Sequence, residues 1–433
     1  MACRRRAGLT ALLLATALGG CGLVPSAPSD PTPSASPTQQ SGTSTSDYDP
    51  TPEDFSAIEQ AMRVRARAVR DGDRDAFLSI VDTSDPDFVE SEGVLFDNLS
   101  KLPVSHYSLH ADEVYLTPAT LSDAPDRLAP QTVEEVQITG VDSRPAAYPV
   151  RLTWVKRGDQ WLLGAEGSRT SATRSRPADS RPWLGGPVVV RSEGGTIVVV
   201  DADQQAQARP LLEAVRRGIR VDAEVLDMAP RYDVLVDATS NGDATKMNSL
   251  DDQEAAAVTF TVFSRPTDHR PARLAGTRIQ ANPDHVGYLL DDTEVLRHEL
   301  VHFLTVHDGP QPRWVGEGLA VYVSRAPAGP GDLRYPTATY DDMMKVAALG
   351  PPASGSFGLD PQVDYLLAWC SVTYLVDLHD VATFRTFSRA FQPERGRPFP
   401  DLQVPDLLDR FYGITSEQLD RGTAQVCRSV QHG

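Results

Sequence analysis

Cysteine is scarce in this 433-residue chain: Cys3, Cys21, Cys370 and Cys427 are the whole supply, and no two of them form a Cys-x-x-Cys pair. That excludes a thiolate metal cluster of the zinc-finger kind and a paired-thiol redox motif. Positive charge is short as well, with 41 Lys and Arg against 59 Asp and Glu, for a net charge of -18. A chain this acidic is a poor partner for nucleic acid and is not drawn to an anionic membrane surface. There is no Gly-rich phosphate loop, and no apolar run approaches the ~20 residues of a membrane-spanning helix.

The first residues carry a different signal. Arg4, Arg5 and Arg6 precede a short apolar stretch from Leu9 to Leu18, which is the pattern of a secretion signal over residues 1–20. The stretch ends Leu18-Gly19-Gly20-Cys21, which resembles a bacterial lipobox. That resemblance implies cleavage before Cys21, lipidation of Cys21, and an extracytoplasmic protein anchored to the bacterial cell membrane. The first 20 residues hold three Arg and no acid, so the cleaved chain would carry -21. Residues 21–52 are rich in Ser, Pro and Thr with little that is apolar, and read as a flexible tether. With Cys3 removed and Cys21 lipidated, Cys370 and Cys427 remain in an oxidising compartment, and one disulfide between them is expected; two buried free thiols are the alternative.

The fold class expected is α+β, in two units. Residues 53–166 open with a helix from Phe55 to Arg70 and a second helix start at Asp73, followed by strand-like runs at Tyr107–Tyr115, Val133–Val141, Tyr148–Val155 and Gln160–Ala165. Lys156-Arg157-Gly158-Asp159 reads as the turn of a terminal hairpin. Helices followed by antiparallel strands resemble the cone-shaped fold of nuclear transport factor two and its relatives, which implies a structural or ligand-binding role. Residues 167–182 form a Ser, Arg and Pro-rich linker. Residues 183–433 start with a hairpin, Val188–Arg191 and Thr196–Asp201, then a helix from about Gln204 to Arg217. Strands follow at Tyr232–Val236, Ala257–Phe263 and Arg278–Ala281, and helices run almost to the end.

Within that second unit, residues 298–302 read His-Glu-Leu-Val-His. In a random chain of this length and His content the pattern would arise roughly once in a hundred, so its surroundings matter. Asp291, Asp292 and Thr293 offer N-cap candidates, and Leu296, Leu300 and Phe303 cluster opposite the histidines, as in a buried helix. Residues four apart share a helix face, so His298 and His302 can hold one cation, with Glu299 beside them as a base. A zinc site of this kind needs a third protein ligand, and spacing alone leaves several acids eligible. His307 and His285 flank the pentad as loop or surface residues; His106, His110, His269, His379 and His432 show no ligand spacing.

Downstream lies Trp314-Val315-Gly316-Glu317-Gly318-Leu319-Ala320. Together with the pentad it resembles the gluzincin metalloproteases of the peptidase MA-like group, closely over Thr293–Val323 and loosely over the C-terminal half. The resemblance implies a zincin fold with a sheet, an active-site helix and a helical lobe, one Zn2+ per chain, and Glu317 as third ligand beside His298 and His302. It also implies Tyr365 as oxyanion stabiliser, and the strand around Arg278-Ile279-Gln280 as the cleft edge that pairs with substrate. In thermolysin-type enzymes an acid stands one turn after the glutamate ligand; here that position is Val321, which leaves Asp308 or Asp364 as candidates to orient the histidines.

The function these features imply is a zinc metallopeptidase, a hydrolase cutting peptide or protein substrates outside the cytoplasmic membrane, with Glu299 as general base. A cell-wall amide is an alternative substrate. A non-catalytic ligand- or protein-binding lipoprotein on a zincin scaffold is the alternative class. No nucleic acid partner is expected, and the oligomeric state is not legible.

Overall fold

The computed structural model describes residues 51–111, 127–167, 181–241, 255–267 and 269–432, except 330, 331, 333, 336, 395, 397 and 398. The expected signal segment, Cys21, the tether to residue 50 and nearly all of the linker lie outside the described residues. The protein is α+β, with both helices and sheets.

The first unit starts with α1 (Pro52–Asp71). Thr51 caps it through a reciprocal box with Asp54, Pro52 supplies its first turn, and Gly72 ends it at φ 69°, in the left-handed region. Ile58, Met62 and Ala66, four apart, form the face that it buries. After α2 (Arg74–Leu78) comes α3 (Pro86–Leu99), a helix the sequence reading omitted although Asp85 caps it and Pro86 opens it. Then follow β1 (Val104–Ala111), β2 (Arg127–Leu128), β3 (Gln131–Ile138), β4 (Ala146–Arg157) and β5 (Gln160–Gly167). These strands form an antiparallel sheet in the order β1-β3-β4-β2, with β5 also on β4. The β4–β5 turn falls at Gly158, φ 62°. In this unit Arg65 is paired with Glu92 and Glu166, and Arg181, at the end of the linker, pairs with Glu134 and Glu166, a buried ionic network that periodicity does not disclose.

The second unit contains β6 (Val188–Glu193), β7 (Thr196–Asp201), α4 (Gln205–Val225), β8 (Leu235–Ala238), β9 (Ala257–Phe263) and β10 (Leu274–Ala281). The sheet order is β6-β7-β8-β10-β9: β7, β8 and β10 run parallel, while β6 and β9 run antiparallel to their neighbours. Helices follow as α5 (Val286–Asp291), α6 (Glu294–Thr305), α7 (Arg313–Arg325), α8 (Thr337–Val346), α9 (Pro361–Leu378), α10 (Val381–Arg389), α11 (Val404–Tyr412) and α12 (Ser416–Ser429). Cys370 on α9 and Cys427 on α12 are disulfide-bonded, with Cα atoms 5.6 Å apart.

Both faces of the second sheet are buried, which a near-continuous apolar strand such as Thr196-Ile197-Val198-Val199-Val200 requires. Val198 and Val200 join the helical core with Leu211, Val215, Leu300 and Leu304. Ile197 and Val199 point the other way and join the core of the first unit with Tyr148, Trp154 and Trp183. Polar ties cross the same face. Asn98 of α3 donates to the carbonyls of Trp183 and Gly186 and accepts from the Val188 amide, and Arg278 of β10 meets Asp142 at 2.8 Å.

Candidate metal centre

Helix α6 carries the pentad. Thr293 is the N-cap residue and makes no side-chain cap; the carboxylate of Asp292 just before it accepts from the first helical amide, that of Glu294, at 3.1 Å. From Leu296 onward α6 is buried on nearly every side, with only Arg297 less so. It lies under the sheet: Leu300 fills the space that Gly218 of α4 leaves, since a Cβ there would stand 2.6 Å from its Cδ1. The Thr259 hydroxyl of β9 donates to the Glu299 carbonyl at 2.9 Å.

Helix α7 brings Glu317 to the same point. Gly318 beside it allows α7 to approach α9 closely, because a Cβ there would meet the Ala368 carbonyl oxygen at 2.5 Å and Val372 at 2.6 Å. One oxygen of Glu317 is 3.2 Å from Nε2 of His298 and 3.2 Å from Nε2 of His302, and the two nitrogens are 3.1 Å apart. All three residues are buried. Burial opposes ionisation of Glu317, but the charge of His302 and hydrogen bonds from both imidazoles prevail and hold its carboxyl down at about 2. Ligand atoms ~2 Å from one tetrahedral ion stand about 3.3 Å from one another, and the observed triangle has that size. The group His298, His302 and Glu317 could therefore hold a metal ion, and it is the only such group among the described residues.

Glu299 sits beside this triangle without joining it. It is completely buried, and neither carboxylate oxygen has a hydrogen bond of ordinary geometry among the described residues, although the Thr259 hydroxyl still favours its charged form. Burial pushes its carboxyl up from the ordinary carboxylate range. Tyr365, on α9, is also brought to the site, its ring 5.9 Å from that of His298 and edge-on to Phe357.

Other expectations fail. Strand β10, with Arg278-Ile279-Gln280, is not an edge: β8 and β9 flank it, and Arg278 is buried against Asp142 of the first unit. The outer strands are β6 and β9, and Thr259 of β9 touches the pentad helix. Asp364 accepts from the Gly358 and Asp360 amides, closing the loop before its own helix, and Asp308 pairs with Arg389 at 2.7 Å; both carboxylates are spent on structure. Val321 is packed in the core. His285 and His307 stand outside the triangle, as expected.

Two contributors escaped sequence reasoning. Arg297 donates from Nε to Asp222 at 2.8 Å, and from its two terminal nitrogens to the carbonyls of Val323, Ser324 and Ala326, at the end of α7. It joins the histidine helix to the glutamate helix, and its one signal was a charge in an otherwise apolar run. Thr259 gave no signal, because strand order decides its place.

An α+β fold with a buried two-histidine, one-glutamate group competent to hold a metal ion is the class that the structure defines. Comparison with family models, with curated proteins and with solved structures found no match for this chain.

Proposed function

We propose that the chain is a zinc-dependent metallopeptidase that hydrolyses peptide bonds outside the cytoplasmic membrane, tethered there through lipidated Cys21. The observation that carries this reading is a three-ligand triangle of zinc-site dimensions with a buried carboxylate, Glu299, from the same helix. Two imidazoles and one carboxylate form a donor set that suits zinc and leaves it a net positive charge. A zinc ion held there supplies Lewis acidity toward water and toward a substrate carbonyl.

The chain's own residues do the rest. Glu299 accepts a proton from the attacking water and passes it to the leaving amine, a double role favoured by burial that keeps its proton affinity high. Tyr365, whose ring lies 5.9 Å from that of His298, is the residue assigned to donate to the developing oxyanion. β9, the outermost strand beside the metal helix among the described residues, is the strand along which an extended substrate backbone would lie, which selects polypeptide over compact ligands.

The test is metal analysis of the purified chain together with cleavage of a diverse peptide library. About one zinc per chain and chelator-sensitive cleavage are expected. Glu299→Gln should retain zinc and lose at least a hundredfold in kcat; a variant as active as the wild type excludes Glu299 as the base. Ligand-induced stabilisation with no cleavage by the wild type would favour a binding protein instead.

A further inference from the structure

Although the chain is strongly acidic, one groove on it is cationic. Arg63, Arg67 and Arg70 occur at positions i, i+4 and i+7 of α1, on one helix face. With His110 of β1 they line a cavity of about 450 Å3 between the helix and that strand. A fourth arginine, Arg265, enters the same cavity from the second unit, two residues beyond the last residue of β9.

The acids nearby neutralise only part of this charge. Glu59 lies 3.4 Å from Arg63, and Glu135 lies 2.8 Å from His110 and 3.7 Å from Arg265. Among the described residues Arg70 donates to the Tyr107 carbonyl and has no ion pair, and neither has Arg67. Like charges one helical turn apart cost about 0.2–0.5 kcal/mol per pair, so folding alone gives no reason to align them. Guanidinium groups stay charged at any physiological pH and bind carboxylates in a bidentate manner.

Continuity with β9 suggests the occupant. Thr259, which touches the Glu299 carbonyl, is six residues before Arg265, or roughly 20 Å along an extended strand. A polypeptide laid along β9 across the metal centre would reach the cationic groove with side chains about six residues from the cut. We propose that this groove is an exosite for carboxylate side chains of the polypeptide substrate, a reading that rests on the peptidase function proposed above.

Two measurements on the full chain test it. In the first, a fluorescent octaglutamate probe is titrated against the zinc-loaded protein. It should bind, octaglutamine should not, and the double variant R67Q/R70Q should weaken binding at least tenfold, with R209Q, at an exposed position of α4, as an unchanged control. In the second, a cleaved library peptide is compared with the same peptide extended by a tetraglutamate tail six residues from the cut. The tail should lower KM severalfold with kcat unchanged, an advantage R67Q/R70Q should abolish while it cleaves the untailed peptide normally.

Absence of octaglutamate binding, or binding that R67Q/R70Q leaves intact, overturns the inference whether or not peptides are cleaved. Binding with no effect of the tail on KM overturns the exosite role. Inorganic phosphate displacing the probe at micromolar concentration would make the groove a phosphate site and also overturn it. Failure of the peptidase reading is distinct: no peptide is cleaved while octaglutamate binding persists. Arg67 is exposed and has no ion pair among the described residues, so R67Q alone, verified by its melting temperature, keeps the binding test available if the double variant is unstable.

Discussion

Replacing Arg297 by Met tests whether the two ligand-bearing helices are held together by one guanidinium. The side chain is 13 % exposed and its partner Asp222 is fully buried. Met fills similar volume but leaves a buried carboxylate and three carbonyls at the end of α7 without their donor. Breaking a buried pair from one side costs about 3–5 kcal/mol where the carboxylate would otherwise be ionised, above about pH 7. For a unit of about 250 residues this lowers the melting temperature by about 6–20 °C. The pH dependence adds a sharper criterion. Burial raises the Asp222 carboxyl from 3.8 to about 7, even though Arg297 opposes it. The native state thus binds a proton that the unfolded chain has released, and wild-type stability falls as pH rises from about 4 to about 7, then levels off. Without Arg297 the folded value rises further, so the variant keeps losing stability above pH 7, by up to about 1.4 kcal/mol per unit. The deficit relative to wild type should be flat below pH 7 and widen above it, and Arg297→Met/Asp222→Asn should recover part of it at pH 8.5. Melting curves of the three proteins from pH 5.5 to 8.5 decide the matter. A shift below 2 °C at pH 8.5, or a deficit independent of pH, would refute the clamp.

Gly318→Ala should destabilise by about 1–3 kcal/mol, since its methyl group collides with the Ala368 carbonyl; because Glu317 is adjacent, zinc should also pass more readily to a chromophoric chelator. Equal zinc retention and an unchanged melting temperature would show that α7 and α9 can separate without consequence. Loss of the Cys370–Cys427 bond, which closes 57 residues, should cost about 2–5 kcal/mol in the double Ser variant relative to the oxidised protein; coincident urea curves would assign the bond no stabilising role. Tyr365→Phe should lower kcat ten- to a thousandfold with little change in KM if its hydroxyl serves the oxyanion; an unchanged kcat leaves the ring as packing against Phe357.

The parts of the site written within one helix were legible, and the parts that need strand order were not. His298 and His302 are placed by a four-residue spacing, which any helix turns into one face. Glu317 required a second segment, and its partnership with the histidines depends on an α6–α7 approach that only the three-dimensional fold contains. The substrate edge was misassigned for the same reason. Arg278-Ile279-Gln280 and Ala257–Phe263 are equally strand-like, and nothing local tells an inner strand from an outer one. The β10–β9 register runs Arg278 opposite Phe260 and Ile279 opposite Thr259. Thr259 on the outer strand thereby reaches the Glu299 carbonyl, while Arg278 turns to the opposite side and meets Asp142.

That opposite side determines how the first unit should be understood. A sheet that covered a metal helix on one face and met solvent on the other would alternate apolar and polar residues. Here Ile197, Val199, Leu235, Val262 and Ala275 are buried on the face away from the helix, packed with Tyr148, Trp154 and Trp183. Removing the first unit would bare that face and strand Arg278 without Asp142, an uncompensated charge inside an apolar surface. The first unit therefore completes the core on which β9 and β10 are laid, and through them it fixes the strand that contacts the pentad helix. A linker-joined accessory module would need none of these buried contacts.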